Sequence, residues 1–141
     1  MPKFGDSSRM KLDTCHPDIQ RLFLIVVRTY DCSIIWGNRG KVAQTKAFDS
    51  GNSKKQWPDS KHNKLPSDAI DIVPYPINWG DTGTVKEKQK AIARFYHFAG
   101  YVEAKAENLG IKMRWGGDWD SDRDFSDQNF DDLAHWEIMT Q

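Results

Sequence analysis

The run Ala69-Ile70-Asp71-Ile72-Val73 sets a carboxylate inside an apolar segment, and this constrains the fold more than any other feature of the chain. As a strand, it carries Ile70 and Ile72 on one face and Asp71 on the other. An ionised carboxylate built into a sheet is stable only where a cation or hydrogen-bond donors meet it. The fold must therefore bring Asp71 a partner. Two segments offer one: the polar stretch Ser60-Lys61-His62-Asn63-Lys64, and Asp132-Leu133-Ala134-His135-Trp136-Glu137 near the C-terminus. Two imidazoles and one carboxylate suit a zinc ion with one coordination position open to water, and a further carboxylate beside that water can act as base. The pattern points to a metallohydrolase.

The elements around these segments alternate. Asp13 or Thr14 is positioned to cap a helix with Pro17 in its first turn and Ile19, Leu22, Phe23, Val26 and Val27 as its apolar stripe. Cys32 to Trp36 reads as a strand leading into the turn Gly37-Asn38-Arg39-Gly40, and Lys41 to Ser50 as a short helix stopped by Gly51. Residues 52–67 form a polar loop carrying His62. After the Asp71 strand, Pro74-Tyr75-Pro76 breaks the pattern, and the longest helical periodicity runs from Val85 to Leu109, closed by Gly110, with Gly100 as a place to bend. Ile111 to Trp115 reads as a strand, 116–132 as an acidic loop, and Ala134 to Met139 as the last strand. Helices and short strands without regular βαβ spacing predict an α+β fold with a small, mostly antiparallel sheet and flanking helices.

At 141 residues the chain suits one compact domain, residues 1–141. Its formal net charge of zero gives no global field for nucleic acid or an anionic membrane, and no run is long enough to span a bilayer. No nucleic-acid partner, no stable membrane association and a monomer are the expectations. The N-terminus lacks a secretory signal pattern, which predicts synthesis in the cytoplasm. Cys15 and Cys32 lack the spacing of a redox or zinc pair and are expected as free thiols. His16 precedes a helix-initiating proline and His97 lies in the long helix among Phe95, Tyr96 and Phe98, so both read as structural. Trp36, Trp115 and Trp136 read as core or cleft walls, and Trp57 and Trp79, on loops, as contacts for a glycan or peptide.

Ser60-x-His62 followed by Ala69-x-Asp71 resembles the Ser-x-His and Ala-x-Asp signature of the zinc peptidases that include D-Ala-D-Ala carboxypeptidases, hedgehog-type relatives and phage L-alanyl-D-glutamate endolysins. Asp132-x-x-His135-x-Glu137 resembles their second signature, and Trp115-Gly116-Gly117-Asp118-Trp119 the segment that often precedes it in phage members. The resemblance extends from His16-Pro17 through Arg39 and Gln44 to Trp136. One departure concerns the rim of the cleft: the loop between His62 and Ala69 is longer than usual and has Leu65-Pro66 where glycine is common.

The resemblance implies a hedgehog/D,D-peptidase-like fold with His62, Asp71 and His135 as zinc ligands and Asp132 as general base and acid. Arg39 would bind substrate or the developing negative charge, and Ser60 would bind substrate or orient the His62 loop. In a regular last strand Glu137 shares a face with His135, where it fixes an imidazole tautomer or makes an ordinary salt bridge. Asp131 is expected as a solvated neighbour of Asp132. The implied function is zinc-dependent hydrolysis of peptidoglycan stem peptides at the L-Ala-D-Glu bond, by a phage or prophage endolysin that reaches the wall once a holin-type pore opens. The alternatives are a D,D- or L,D-carboxypeptidase removing terminal D-Ala and a non-catalytic zinc-stabilised binding module. In the acidic loop Asp118, Asp120 and Asp122 match the opening positions of a calcium loop, but Arg123 and Asn129 replace the glycine and the bidentate glutamate of an EF-hand. Ca2+ is a candidate second cation there.

Overall fold

The computed structural model describes residues 1–139, so the expected domain span of 1–141 includes residues 140 and 141, which lie outside them. Strands β1 (Cys32–Trp36), β2 (Ala69–Pro74), β3 (Met113–Trp115) and β4 (His135–Ile138) form one antiparallel sheet in the order β1-β2-β4-β3. Helices α1 (Asp6–Leu12), α2 (Pro17–Val26), α3 (Lys41–Asp49) and α4 (Val85–Leu109) flank it, and single 3-10 turns occur at Lys61–Asn63 and Phe125–Asp127. The architecture is the expected α+β fold with an antiparallel sheet.

Alternation along the central strands divides the molecule. Ile70 and Ile72 of β2 and Trp136 of β4 pack with Ile34, Trp115 and the apolar stripes of α2 and α4 into the main core. Asp71, His135 and Glu137 point to the opposite face. The amphipathic α2 buries Ile19, Leu22, Phe23 and Val26 against α4, whose Phe98 and Val102 complete that layer. A capping box starts α4: Thr84 Oγ1 accepts from Glu87 N at 3.1 Å and Glu87 Oε1 accepts from Thr84 N at 3.3 Å. The helix continues through Gly100 without interruption for its 25 residues.

The structure corrects the expected start of α2. Its cap is His16, whose Nδ1 accepts from Asp18 N at 3.0 Å, whereas Asp13 and Thr14 follow α1, a helix whose polar sequence buries only Leu12. The Thr14 hydroxyl instead accepts from Asn38 N at 2.8 Å and so holds the turn after β1. Strand β4 also covers a shorter span than the 134–139 expected, because Ala134 and Met139 lie outside its ladder. Cys15 and Cys32 are free and buried, and burial pushes the Cys15 thiol up to about 12. Among the described residues no helix is long and apolar enough to cross a membrane.

Candidate metal centre and its cleft

The β2/β4 register sets Asp71 directly opposite His135, close enough for their side chains to meet. His62 arrives from the polar loop on a 3-10 turn built by local chemistry: Ser60 Oγ accepts from His62 N at 3.2 Å while Asn63 Oδ1 accepts from Ser60 N at 3.0 Å. Arg39 N donates to His62 O at 2.8 Å, which ties this turn to the end of β1. The result brings His62, Asp71 and His135 together. His62 Nε2 lies 3.1 Å from Asp71 Oδ1 and 3.2 Å from His135 Nδ1, and His135 Nδ1 lies 3.2 Å from Asp71 Oδ1.

Hydrogen bonds on the far sides of the rings assign the tautomers. His62 Nδ1 donates to Gly37 O at 2.8 Å, so its Nε2 presents a lone pair. His135 Nε2 donates to Glu137 Oε1 at 2.9 Å, so its Nδ1 does the same. With both imidazoles neutral, three acceptors, two imidazole lone pairs and one carboxylate oxygen, thus converge with no hydrogen to share among them. Such a set is repulsive unless a cation sits between its members. A tetrahedral zinc ion with bonds of about 2.0–2.1 Å spaces its ligand atoms about 3.3 Å apart, close to the separations here. The donor set fits the ion.

Charge around the centre is graded by environment. Burial would raise Asp71, but the charges of His62 and its hydrogen bond with His135 outweigh burial and hold it well below the usual carboxylate range. Glu137, also buried, is held low by hydrogen bonds from His135, Arg114 and Lys61, with Arg114 Nη2 at 2.6 Å and Lys61 Nζ at 3.0 Å. Asp132 differs. Burial, then the Asp71 charge, push it up to about 6. Its backbone is fixed by Gly116: Asp132 N donates to Gly116 O at 2.8 Å, and Gly116 N donates to His135 O at 2.8 Å. A Cβ at Gly116 would collide with Asp132 O. Gly37 is equally confined, against Lys11 O and Thr14 Oγ1, while its own carbonyl orients His62.

These groups line a cleft of about 760 Å³ that includes Arg39, Ser60, Asp132 and the three convergent ligands. Arg39 is buried, with Nη1 3.9 Å from Asp71 Oδ2 and its guanidinium over Trp36. Trp36 and Trp79 form cleft wall, Trp115 and Trp136 are buried, and Trp57 does not line the cleft. Asp131 is exposed. His16 caps α2, and His97 Nδ1 lies 2.7 Å from Tyr30 Oη away from the cleft.

Two features lay outside the expected site. Gln44, fully buried, accepts from Arg39 Nε at 2.8 Å and donates to Lys55 O at 2.6 Å, joining the cation to the 52–55 loop. Trp119 and Phe130, stacked 6.4 Å apart, form a second aromatic wall against His135. Gln44 and Trp119 carried a sequence signal only through the family resemblance, which gave them no role; nothing in residue spacing marks the Trp119 and Phe130 pair.

The acidic cluster is separate. Carboxylate oxygens of Asp118, Asp120 and Asp122 lie within 4.8 Å of one another. Asp118 is buried; its Oδ2 accepts from Arg123 N at 2.9 Å, but its Oδ1 meets no donor.

An antiparallel sheet carrying Asp71 and His135, met at the floor of a cleft by His62 from the 61–63 turn and with a raised carboxyl beside them, defines a hydrolase-type centre. Residues 1–139 match the family described as phage L-alanyl-D-glutamate peptidase. The chain is 30% identical over 131 residues to the L-alanyl-D-glutamate peptidase of Escherichia phage T5, covering 89% of this chain and 88% of that protein. It belongs to the phage L-alanyl-D-glutamate peptidase family. The crystal structure of the Serratia marcescens L-Ala D-Glu endopeptidase ChiX shares the fold, with a TM-score of 0.67 and 22% identity over 98% of this chain and 91% of that one.

Proposed function

We propose that this protein is a zinc-dependent peptidase that hydrolyses the L-Ala-D-Glu bond of peptidoglycan stem peptides, acting as a single catalytic domain in phage-directed lysis. The observation that carries the reading is the convergence of the His62, Asp71 and His135 acceptors beside the raised carboxyl of Asp132. Zinc would supply Lewis acidity at the scissile carbonyl and make water acidic enough to ionise near neutral pH. Asp132 takes the proton of the attacking water and returns one to the departing amine, a task suited to a carboxyl that burial in the cleft holds above the ordinary carboxylate value before an ion binds. Arg39, buried at the cleft, offers its guanidinium to the negative charge that develops on the carbonyl oxygen. Glu137 holds the His135 tautomer, and Ser60 sets the turn that aims His62.

The family match favours this bond over removal of a terminal D-Ala, and Asp132 in an open cleft favours turnover over a closed structural zinc site. Digestion of purified sacculi tests both points. Zinc-loaded protein is expected to release peptides beginning with D-Glu and to lose activity on chelation; release of free D-Ala alone would establish the carboxypeptidase instead. A second cation is proposed at Asp118, Asp120 and Asp122, where the unpartnered, buried Asp118 Oδ1 suits calcium. Calcium added to chelated, zinc-reconstituted protein is expected to raise the melting temperature, and an unchanged melt and rate would remove the site.

A further inference from the structure

Five cationic side chains, Arg39, Lys54, Lys55, Lys61 and Arg114, line the cleft with four carboxylates, Asp59, Asp71, Asp132 and Glu137. Among the described residues two of the cations are left without a carboxylate partner. Arg39 faces Asp71, while Lys61 and Arg114 both close on Glu137. Lys54 and Lys55 line the same cleft, yet among the described residues neither ammonium group pairs with a carboxylate. Lys54 Nζ instead lies 5.1 Å from the centre of the Phe130 ring. The backbone under them is anchored: Gln44 Nε2 donates to Lys55 O at 2.6 Å, Ser53 Oγ accepts from Lys55 N at 3.1 Å, and Ser53 N donates to Ala47 O of α3 at 3.0 Å. A held loop that sets two cations without a carboxylate partner on the wall of a cleft favours an anion brought by the substrate.

We infer that Lys54 and Lys55 form a carboxylate subsite for the stem peptide, and that it receives the leaving-group half of the substrate. The inference rests on the proposed bond. On the acyl side of that bond, the lactyl carboxyl of the muramic acid is already consumed in the amide to L-Ala, so no free carboxylate remains there. On the other side D-Glu continues the chain through its γ-carboxyl and keeps its α-carboxyl, and a diaminopimelate third residue adds another. Every carboxylate of the stem therefore lies on the leaving-group side. The substrate runs with that half toward Lys54, Phe130 and Trp119 and with its sugar-bearing half away from them.

The test compares soluble muramyl tripeptide C-terminal amides in which the second residue is D-Glu or its α-amide and the third is L-lysine or meso-diaminopimelate. Because both lysines are exposed, discrimination of about 5- to 10-fold in kcat/KM, expressed mainly in KM, is expected for the carboxylate that the subsite reads. Which substitution removes the preference identifies that carboxylate. The K54Q/K55Q double variant should bring the ratio close to one, and K54R/K55R should retain it; the ratio compares substrates on one preparation, so partial misfolding does not alter it. Equal kcat/KM on all substrates with the wild-type protein, or an equal loss on all of them in K54Q/K55Q, overturns the subsite while leaving the peptidase reading intact. Retention on sacculi lost without any change of ratio would assign the lysines to general wall attachment and also overturn it. Cleavage of none of them by zinc-loaded protein fails the parent reading and this one together.

Discussion

Three carboxylates around one centre have three different environments, and these separate their roles. Asp71 and Glu137 meet imidazoles and cations that hold them ionised, while Asp132 is pushed up to about 6 by burial and by the charge of Asp71. A group held ionised suits a ligand or an orienting acceptor, and one that titrates near neutrality suits a proton carrier. For Asp132 the folded value lies above the unfolded one, so the charged form costs stability above about pH 6, and the cost disappears as pH falls toward 3.8. Asp132→Asn is therefore expected to stabilise the metal-free protein by about 1–2 kcal/mol at pH 8 and to give no gain below pH 4. The same variant should keep its zinc and lose about 10²- to 10⁴-fold in turnover. Denaturant melts at the two pH values, with metal content and sacculus digestion, check each part. A variant with full turnover would exclude Asp132 as the base.

Elements place these side chains through close backbone contacts that carry little mark in sequence. The loop before β4 is held by the reciprocal bonds of Gly116 with Asp132 and His135, and a Cβ at Gly116 would strike Asp132 O. Gly116→Ala is expected to keep the sheet and the zinc ligands yet lower kcat/KM by about 10- to 100-fold, because displacement of a catalytic group by about 1 Å costs on that order. Zinc content at the wild-type level with reduced turnover is the expected pair of results; unchanged turnover would show that the loop can relax. The strands and the long helix were legible because alternation in β2 and the 3.6-residue stripe of α4 both follow from facing a core. Helix α1 was not, since it buries only Leu12, and the cap of α2 was misplaced because an imidazole took a role usually filled by Asp or Thr. His62, Asp71 and His135 were readable as a set through motif spacing. Trp119 and Phe130 line the cleft, and Gln44 of α3 backs its Arg39, through tertiary contacts, and spacing along the chain says nothing about which segments meet.

At the scale of the whole molecule, the candidate ligands come from the 61–63 turn, β2 and β4, so an ion there closes contacts absent from the unfolded chain. Binding restricted to the native state stabilises it, by about 4 kcal/mol at a free zinc concentration a thousandfold above Kd. The metal-free centre answers its own repulsion differently. Burial would lower His135, but its hydrogen bonds with Asp71 and Glu137 outweigh burial and raise it to about 9. At pH 7 the metal-free centre therefore holds a proton that zinc must displace. Zinc titration at pH 7 is expected to release about one proton, read by calorimetry in buffers of different ionisation heat, with the release vanishing above pH 9. The stability linked to the raised His135 is fully present below pH 6.5 and is lost as pH rises through about 9. Zinc affinity moves the opposite way, strengthening as the proton becomes easier to remove. The gap in melting temperature between zinc-loaded and metal-free protein should thus widen steadily from pH 6 to pH 9. A gap independent of pH would mean that the ion does not compete with a proton at His135, and that the site it occupies is elsewhere.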